Sequence, residues 1–143
     1  MSDKDFPITT ISDAEAWELL RMTQVARLAT HAAGEVDIFP INYVVDGSTL
    51  IFRTAPGTKL LELTLHHAVA LEIDGWTEHS AWAVVVKGTA EELQHQADVD
   101  HAEKLPLVPW IPTYKDRYVR ITPNSVSGRR FPRGPEPEAS NDY

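Results

Sequence analysis

Around the turn in Phe52-Arg53-Thr54-Ala55-Pro56-Gly57-Thr58-Lys59-Leu60 the sequence gathers a guanidinium, an ammonium and two hydroxyls. The run before the turn reads as a strand and the run after it as the start of a helix, so unpaired backbone N–H groups face the same place. That set suits a phosphate. Arg53 and Lys59 would neutralise its charge, Thr54 and Thr58 would donate hydroxyl hydrogen bonds, and the helix dipole would add about 0.3–1 kcal/mol. The glycine spacing is not that of a Walker loop. The same residues also fit a tight turn in which Thr58 caps the helix and both cations are solvated.

Other chemistry finds less support. His66 and His67 are adjacent and so point to different sides of a helix, unlike a chelating i, i+4 pair. His95 and His101 lie six apart in a polar segment. No metal site is expected. Glu72 and Asp74 share one face of a strand, where salt-bridged surface carboxylates are commoner than a hydrolase pair. There is no Gly-x-Ser-x-Gly, and no residue stands out as a catalytic acid or base. With no cysteine, disulfides, thiolate zinc sites and Cys nucleophiles are excluded, and redox chemistry must come from a bound cofactor.

The chain of 143 residues, 43% hydrophobic and 24% charged, fits one globular domain. Its formal charge of −8 disfavours nucleic acid and anionic membranes. Six of the basic residues nevertheless lie between Lys115 and Arg133; they pair with the acidic remainder, or Arg117, Arg120, Arg129 or Arg130 draws an anionic cofactor tail or substrate. The N-terminus lacks a basic start and an apolar run, no segment approaches membrane-spanning length, and a cytoplasmic protein is expected.

The elements that must position these groups are short. Residues 1–11 read as a polar N-terminal arm, and Ser12-Asp13-Ala14-Glu15 has capping-box spacing for an amphipathic helix to about Met22. Strands are predicted at Val25–Thr30, Val36–Val45 and Thr49–Arg53, with turns near Gly34 and at Asp46-Gly47. Further strands are predicted at Ala68–Ile73, Ala81–Lys87, Arg117–Thr122 and Ser125–Phe131, the last two split by a Pro123-Asn124 turn. Gln94–Lys104 reads as a surface helix, and Leu107-Val108-Pro109-Trp110-Ile111-Pro112 as a loop of fixed shape. Residues 132–143 read as a flexible acidic tail. Strands that follow one another without long helices between them point to a mainly β (α+β), antiparallel barrel, and no Gly-x-Gly-x-x-Gly suggests a dinucleotide fold.

Taken in order, Val25-Ala26-Arg27-Leu28-Ala29-Thr30, Phe39-Pro40-Ile41-Asn42-Tyr43-Val44-Val45-Asp46-Gly47, Ile51 to Leu60 and Val69-Ala70-Leu71-Glu72-Ile73-Asp74 resemble the flavin-binding split-barrel group related to pyridoxamine 5′-phosphate oxidase. The likeness continues through Ser80 to Gly88, Tyr118-Val119-Arg120-Ile121 and Val126-Ser127-Gly128-Arg129-Arg130, covering residues 12–131. The resemblance implies a six-stranded antiparallel split β-barrel with a few short helices, dimeric, with flavin mononucleotide (FMN) at the subunit interface. It implies a flavin-dependent oxidoreductase acting on a small molecule, with a 5-deazaflavin hydride carrier or a non-enzymatic flavin- or haem-binding module as alternatives. Arg53, Thr54, Thr58 and Lys59 are the implied phosphate residues. Asn42, Tyr43 and Val44 would run along the isoalloxazine edge, and Trp82 would come from the partner subunit. Trp110 would wall the second-substrate pocket or plug the barrel end. The C-terminal Arg-x-His substrate motif of the pyridoxamine phosphate oxidases proper is missing, the matching end being Arg129-Arg130-Phe131-Pro132, which argues against vitamin B6 oxidation.

Overall fold

A computed structural model describes residues 8–110 and 115–135. Along the chain run β1 (Thr9–Ile11), α1 (Asp13–Met22), β2 (Val25–Ala32), β3 (Glu35–Asp46), β4 (Thr49–Thr54), α2 (Thr58–Leu65), β5 (Ala68–Trp76), β6 (Ser80–Glu92), α3 (Gln96–Glu103) and β7 (Arg117–Pro132). All pairings are antiparallel, and the strands β7-β4-β3-β2-β5-β6 close into a ring because β6 pairs back onto β7. The expected six-stranded barrel is therefore present with a seventh strand added. That strand is β1, whose Thr9, Thr10 and Ile11 pair with Arg130, Arg129 and Gly128.

The barrel follows from period-2 patterning. In β2 the side chains of Ala26, Leu28, Thr30 and Ala32 are buried while those between them face outward. In β4 Leu50, Phe52 and Thr54 point in, and Phe52 is fully buried with Leu28, Leu71 and Ile73 in the core. Each such side chain contributes roughly 1.5–3 kcal/mol by leaving water. A smaller cluster of Ile51, Leu93, Ala102 and Tyr118 lies on the other face of β4 and β7, where α3 covers it.

Half of the capping box forms as its spacing predicts: the Ser12 hydroxyl accepts the Glu15 N–H at 3.2 Å, while the Glu15 carboxylate turns to Arg130. Ala16 and Leu20 of α1 are buried, Tyr43 donates its phenol to the Leu20 carbonyl at 2.7 Å, and Glu15 meets Arg130 at 2.6 Å. Those contacts seat α1 on the barrel. The β2–β3 hairpin turns through Ala33 and Gly34, both at positive φ, in the manner of a two-residue primed turn.

The end of the chain departs from expectation. Pro123-Asn124 is not a turn between two strands but an irregularity within the single strand β7. Lys87 pairs with Ser125 and Gly88 with Pro123, leaving Asn124 as the extra residue of a bulge. Pro123 fits because β7 pairs with β4 only through Ile121 and with β1 only from Gly128, so the missing N–H faces a free edge. Opposite it, a Cβ on Gly88 would collide with the Thr122 carbonyl, so only glycine allows this approach. Pro132 is the last residue of β7, and the tail expected after it falls mostly in residues 136–143, outside the described residues, as do Ile111 and Pro112 of the expected loop.

Candidate functional site

A cavity of about 230 Å³ opens beside the junction of β4 and α2. Three cations line it: Arg53 from β4, Lys59 from the first turn of α2, and Lys115 just before β7. None of its lining residues is acidic among the described residues. The remaining wall is Asn42 with an apolar surface of Val25, Pro40, Ile41, Leu107, Pro109 and Trp110.

Strand alternation explains the gathering. Val25, Pro40, Asn42 and Arg53 are outward positions of β2, β3 and β4, and pairing of Arg53 with Tyr118 brings the start of β7 alongside. The Arg53 guanidinium donates to the Lys115 carbonyl through Nε at 3.1 Å and Nη2 at 2.5 Å, and it lies 5.4 Å from the Tyr118 ring centre. Lys59 Nζ sits 5.2 Å from the centre of the Phe39 ring. Burial, and secondarily the Lys115 ammonium, push the Lys59 pKa below the ordinary lysine value. Like charges held this close repel one another, a cost that a bound anion would offset.

Asn42 accepts the Trp110 backbone N–H on Oδ1 at 3.0 Å. Its Nδ2 is buried and has no hydrogen-bond partner among the described residues. A buried donor without a partner is costly. Helix α2 begins with Gly57 at its N-cap position, no side chain caps it, and no acid stands in its first turn. Thr58 is thus the first helical residue and not the cap that its sequence position suggests. The N-terminal turn of α2 is left without an internal counter-charge.

Of the residues singled out in sequence, Asn42, Arg53 and Lys59 line the cavity. Thr54 points inward, is buried, and donates to the Ala55 carbonyl at 3.3 Å. Thr58 is exposed and outside the lining. Tyr43 is a core residue, its phenol held by Leu20 and its N–H by the Gln24 carbonyl; burial raises its pKa. Val44 packs against the cluster under α3. Trp82 is on β6, its ring against Gly75 of β5, and does not line the cavity of its own chain. Trp110, on the loop after α3, does.

Lys115 is the lining cation that the local motif did not reveal. It heads the basic stretch, whose other members are largely occupied: Arg117 pairs with Glu92 at 3.0 Å, Arg120 with Glu91 at 3.5 Å and Asp98 at 3.7 Å, and Arg130 with Glu15. Glu72 and Asp74 both meet Arg27 at 3.0 Å, forming a surface ion triad. The adjacent histidines diverge: the His66 ring lies 4.8 Å from that of His31, while His67 Nδ1 is 3.1 Å from the Ala90 carbonyl. His101 meets Asp46 at 3.1 Å. No group of three or more His, Asp or Glu side chains suited to a metal occurs among the described residues. No helix among them is long and apolar enough to cross a membrane.

A family model described as pyridoxamine 5′-phosphate oxidase matches residues 12–130. An uncharacterised protein of Mycobacterium tuberculosis is 41% identical over 100 residues, which span 70% of this chain and 91% of that protein. Among solved structures, a Corynebacterium diphtheriae protein of unknown function is 40% identical with a TM-score of 0.76, covering 87% of this chain and 98% of that one. A FAD-binding protein from Mycobacterium smegmatis is 35% identical with a TM-score of 0.75, again over 87% of this chain and 98% of that one.

Proposed function

Since this chain belongs to the pyridoxamine 5′-phosphate oxidase family, we propose that it is a flavin-dependent oxidoreductase that binds FMN at the cavity beside β4 and α2. The observation that carries this reading is the convergence of Arg53, Lys59 and Lys115 in one cavity, with no acid in its lining among the described residues. Such a cluster stabilises a phosphate and is otherwise unfavourable. The FAD-binding relative in M. smegmatis supports a flavin as the group concerned.

The orphaned Asn42 donor and the uncapped start of α2 fit this group. Arg53, Lys59 and Lys115 would hold the phosphate, and the N–H groups at the start of α2 and the Thr58 hydroxyl would be its further donors. Asn42 and the backbone of β3 run along the ring edge. Thr54 is too deep in the barrel to take part. When bound, the flavin supplies electron or hydride transfer; the chain supplies position, charge and exclusion of water. Trp110 and Pro109 offer an apolar wall for a planar second substrate.

The cavity is smaller than the roughly 300–1,000 Å³ of sites that enclose a ligand of this size. A second copy of the chain would complete it and bring Trp82. Supporting this, Val36 and Ile38 are 73% and 68% exposed and lie on the outward face of β3 in line with Pro40, so an apolar stripe runs into the cavity.

The test is FMN binding by the Lys59→Ala, Lys115→Ala double variant. Affinity should fall at least about 100-fold with the thermal unfolding profile of the barrel retained. Undiminished affinity would remove the phosphate assignment. Saturable binding of a 5-deazaflavin carrier, with none of FMN, would transfer the site to that cofactor.

A further inference from the structure

We propose that the cavity beside β4 and α2 also captures aldehydes that carry a phosphate, Lys59 Nζ joining the carbonyl carbon as an imine while Arg53 and Lys115 hold the anion. The inference shares its cations with the flavin reading but does not need a flavin to be bound.

Lys59 is placed as a nucleophilic amine has to be. It lies in the first turn of α2, half-buried, and lines the cavity, with Nζ 5.2 Å from the Phe39 ring centre and 6.0 Å from that of Phe52. Aromatic faces attract an ammonium without accepting its proton, whereas a carboxylate would keep the nitrogen charged. Among the described residues no acid lines the cavity. Burial, and after it the Lys115 ammonium, disfavour the charged form, so more of Lys59 is free amine than of a solvated lysine at the same pH. A desolvated amine beside a second cation is the arrangement that activates lysine toward carbonyl groups.

The neighbouring cations take over the anion. Arg53 stays charged at any ordinary pH, and its bonds from Nε and Nη2 to the Lys115 carbonyl hold the backbone of Lys115 beside it. Lys59 can therefore discharge while two cations remain for the phosphate. The volume of about 230 Å³ falls below that of sites enclosing a whole flavin nucleotide and suits a short-chain aldehyde phosphate. In the step itself the Nζ lone pair forms a bond to the carbonyl carbon, the C–O bond breaks, and both amine protons leave with the oxygen as water. Nothing is oxidised or reduced, so no further reactant is needed.

Glycolaldehyde phosphate with cyanoborohydride, which reduces an imine to a stable secondary amine, tests this on the full chain at neutral pH, the labelled sites being read by peptide mass mapping. Lys87 and Lys104, both exposed, serve as controls within the same sample. Lys59 should be labelled about tenfold or more faster than either, and about tenfold or more faster than by glycolaldehyde, which has no phosphate. Lys115→Ala should slow labelling of Lys59 roughly tenfold, and Lys59→Arg should abolish it without transferring the label to Lys115. Equal labelling of Lys59, Lys87 and Lys104, indifference to the phosphate or to Lys115, or a label carried mainly by Lys115 would each overturn the inference. An FMN titration of the same preparation reads the flavin proposal separately. Selective Lys59 labelling without FMN binding sinks that reading and keeps this one; FMN binding with unselective labelling does the reverse.

Discussion

Lys59 carries a conflict between stability and binding. Its ammonium is half-buried and repelled by Lys115, so its pKa lies below the ordinary lysine value and the charged form is disfavoured in the ligand-free fold. Between that lowered pKa and the unfolded-state value the unfolded chain binds more protons, so stability of the ligand-free protein rises with pH through this alkaline window. Affinity for an anion moves the other way, falling as Lys59 discharges at a pH below that of free lysine. Lys59→Met should therefore raise the unfolding temperature of the ligand-free protein by about 2–5 °C and lower FMN affinity by roughly 10- to 100-fold. A calorimetric scan and a flavin titration of the same preparation check both halves. Arg53 and Lys59 were legible in sequence because the strand-turn-helix junction is local. Alternation along a strand, applied strictly, would also have separated Arg53 from Thr54 and Asn42 from Tyr43, since neighbours face opposite sides. Lys115 was not legible, because only the β4–β7 register carries it to the cavity.

At the scale of elements, α2 is seated by a buried polar contact: the Thr30 hydroxyl of β2 donates to Glu62 at 2.5 Å. The hydrogen bond with Asp37 on β3 raises the Glu62 pKa more than any other influence, Thr30 opposes it, and burial and the charges of Asp37 and Glu35 add to it. The folded state thus holds the Glu62 proton more tightly than the unfolded state. This contribution is full below the unfolded pKa and is lost as pH rises through the folded one. Glu62→Gln should flatten that loss in a series of chemical denaturations across the acidic range, with only a small change at its low end. Two backbone sites have opposite expectations. Ala33→Gly should stabilise by about 1 kcal/mol, because a Cβ at φ 51° is strained, whereas Gly88→Ala should cost about 1–3 kcal/mol by pushing β6 off the bulge; urea midpoints distinguish them. Hairpins and capped helices could be read in sequence because their signals are contiguous. β1 could not, since its three residues become a strand only by pairing with residues more than a hundred positions away, and Pro123 imitates a turn wherever the free edge of its neighbour is unknown.

Taken whole, the molecule is an acidic barrel with three of its cations gathered at one cavity. The net charge of −8 should slow the approach of an anionic cofactor in bulk while the three cations hold it locally, so added salt should weaken FMN binding chiefly through the dissociation rate. The second copy proposed to complete the site would pack on the outward stripe of Val36 and Ile38. Ile38→Glu should convert a dimer to a monomer in sedimentation equilibrium and lower flavin affinity in parallel, although Ile38 is not a lining residue. A monomer that keeps wild-type affinity would mean that one chain suffices for the site. The central claim, that this cavity holds a flavin by its phosphate, is tested most directly by the visible absorption spectrum of the wild-type protein during FMN titration. The expected result is a shifted flavin spectrum that saturates at one FMN per chain and is reversed by competing inorganic phosphate at high concentration. A spectrum that stays that of free FMN throughout the titration would contradict it.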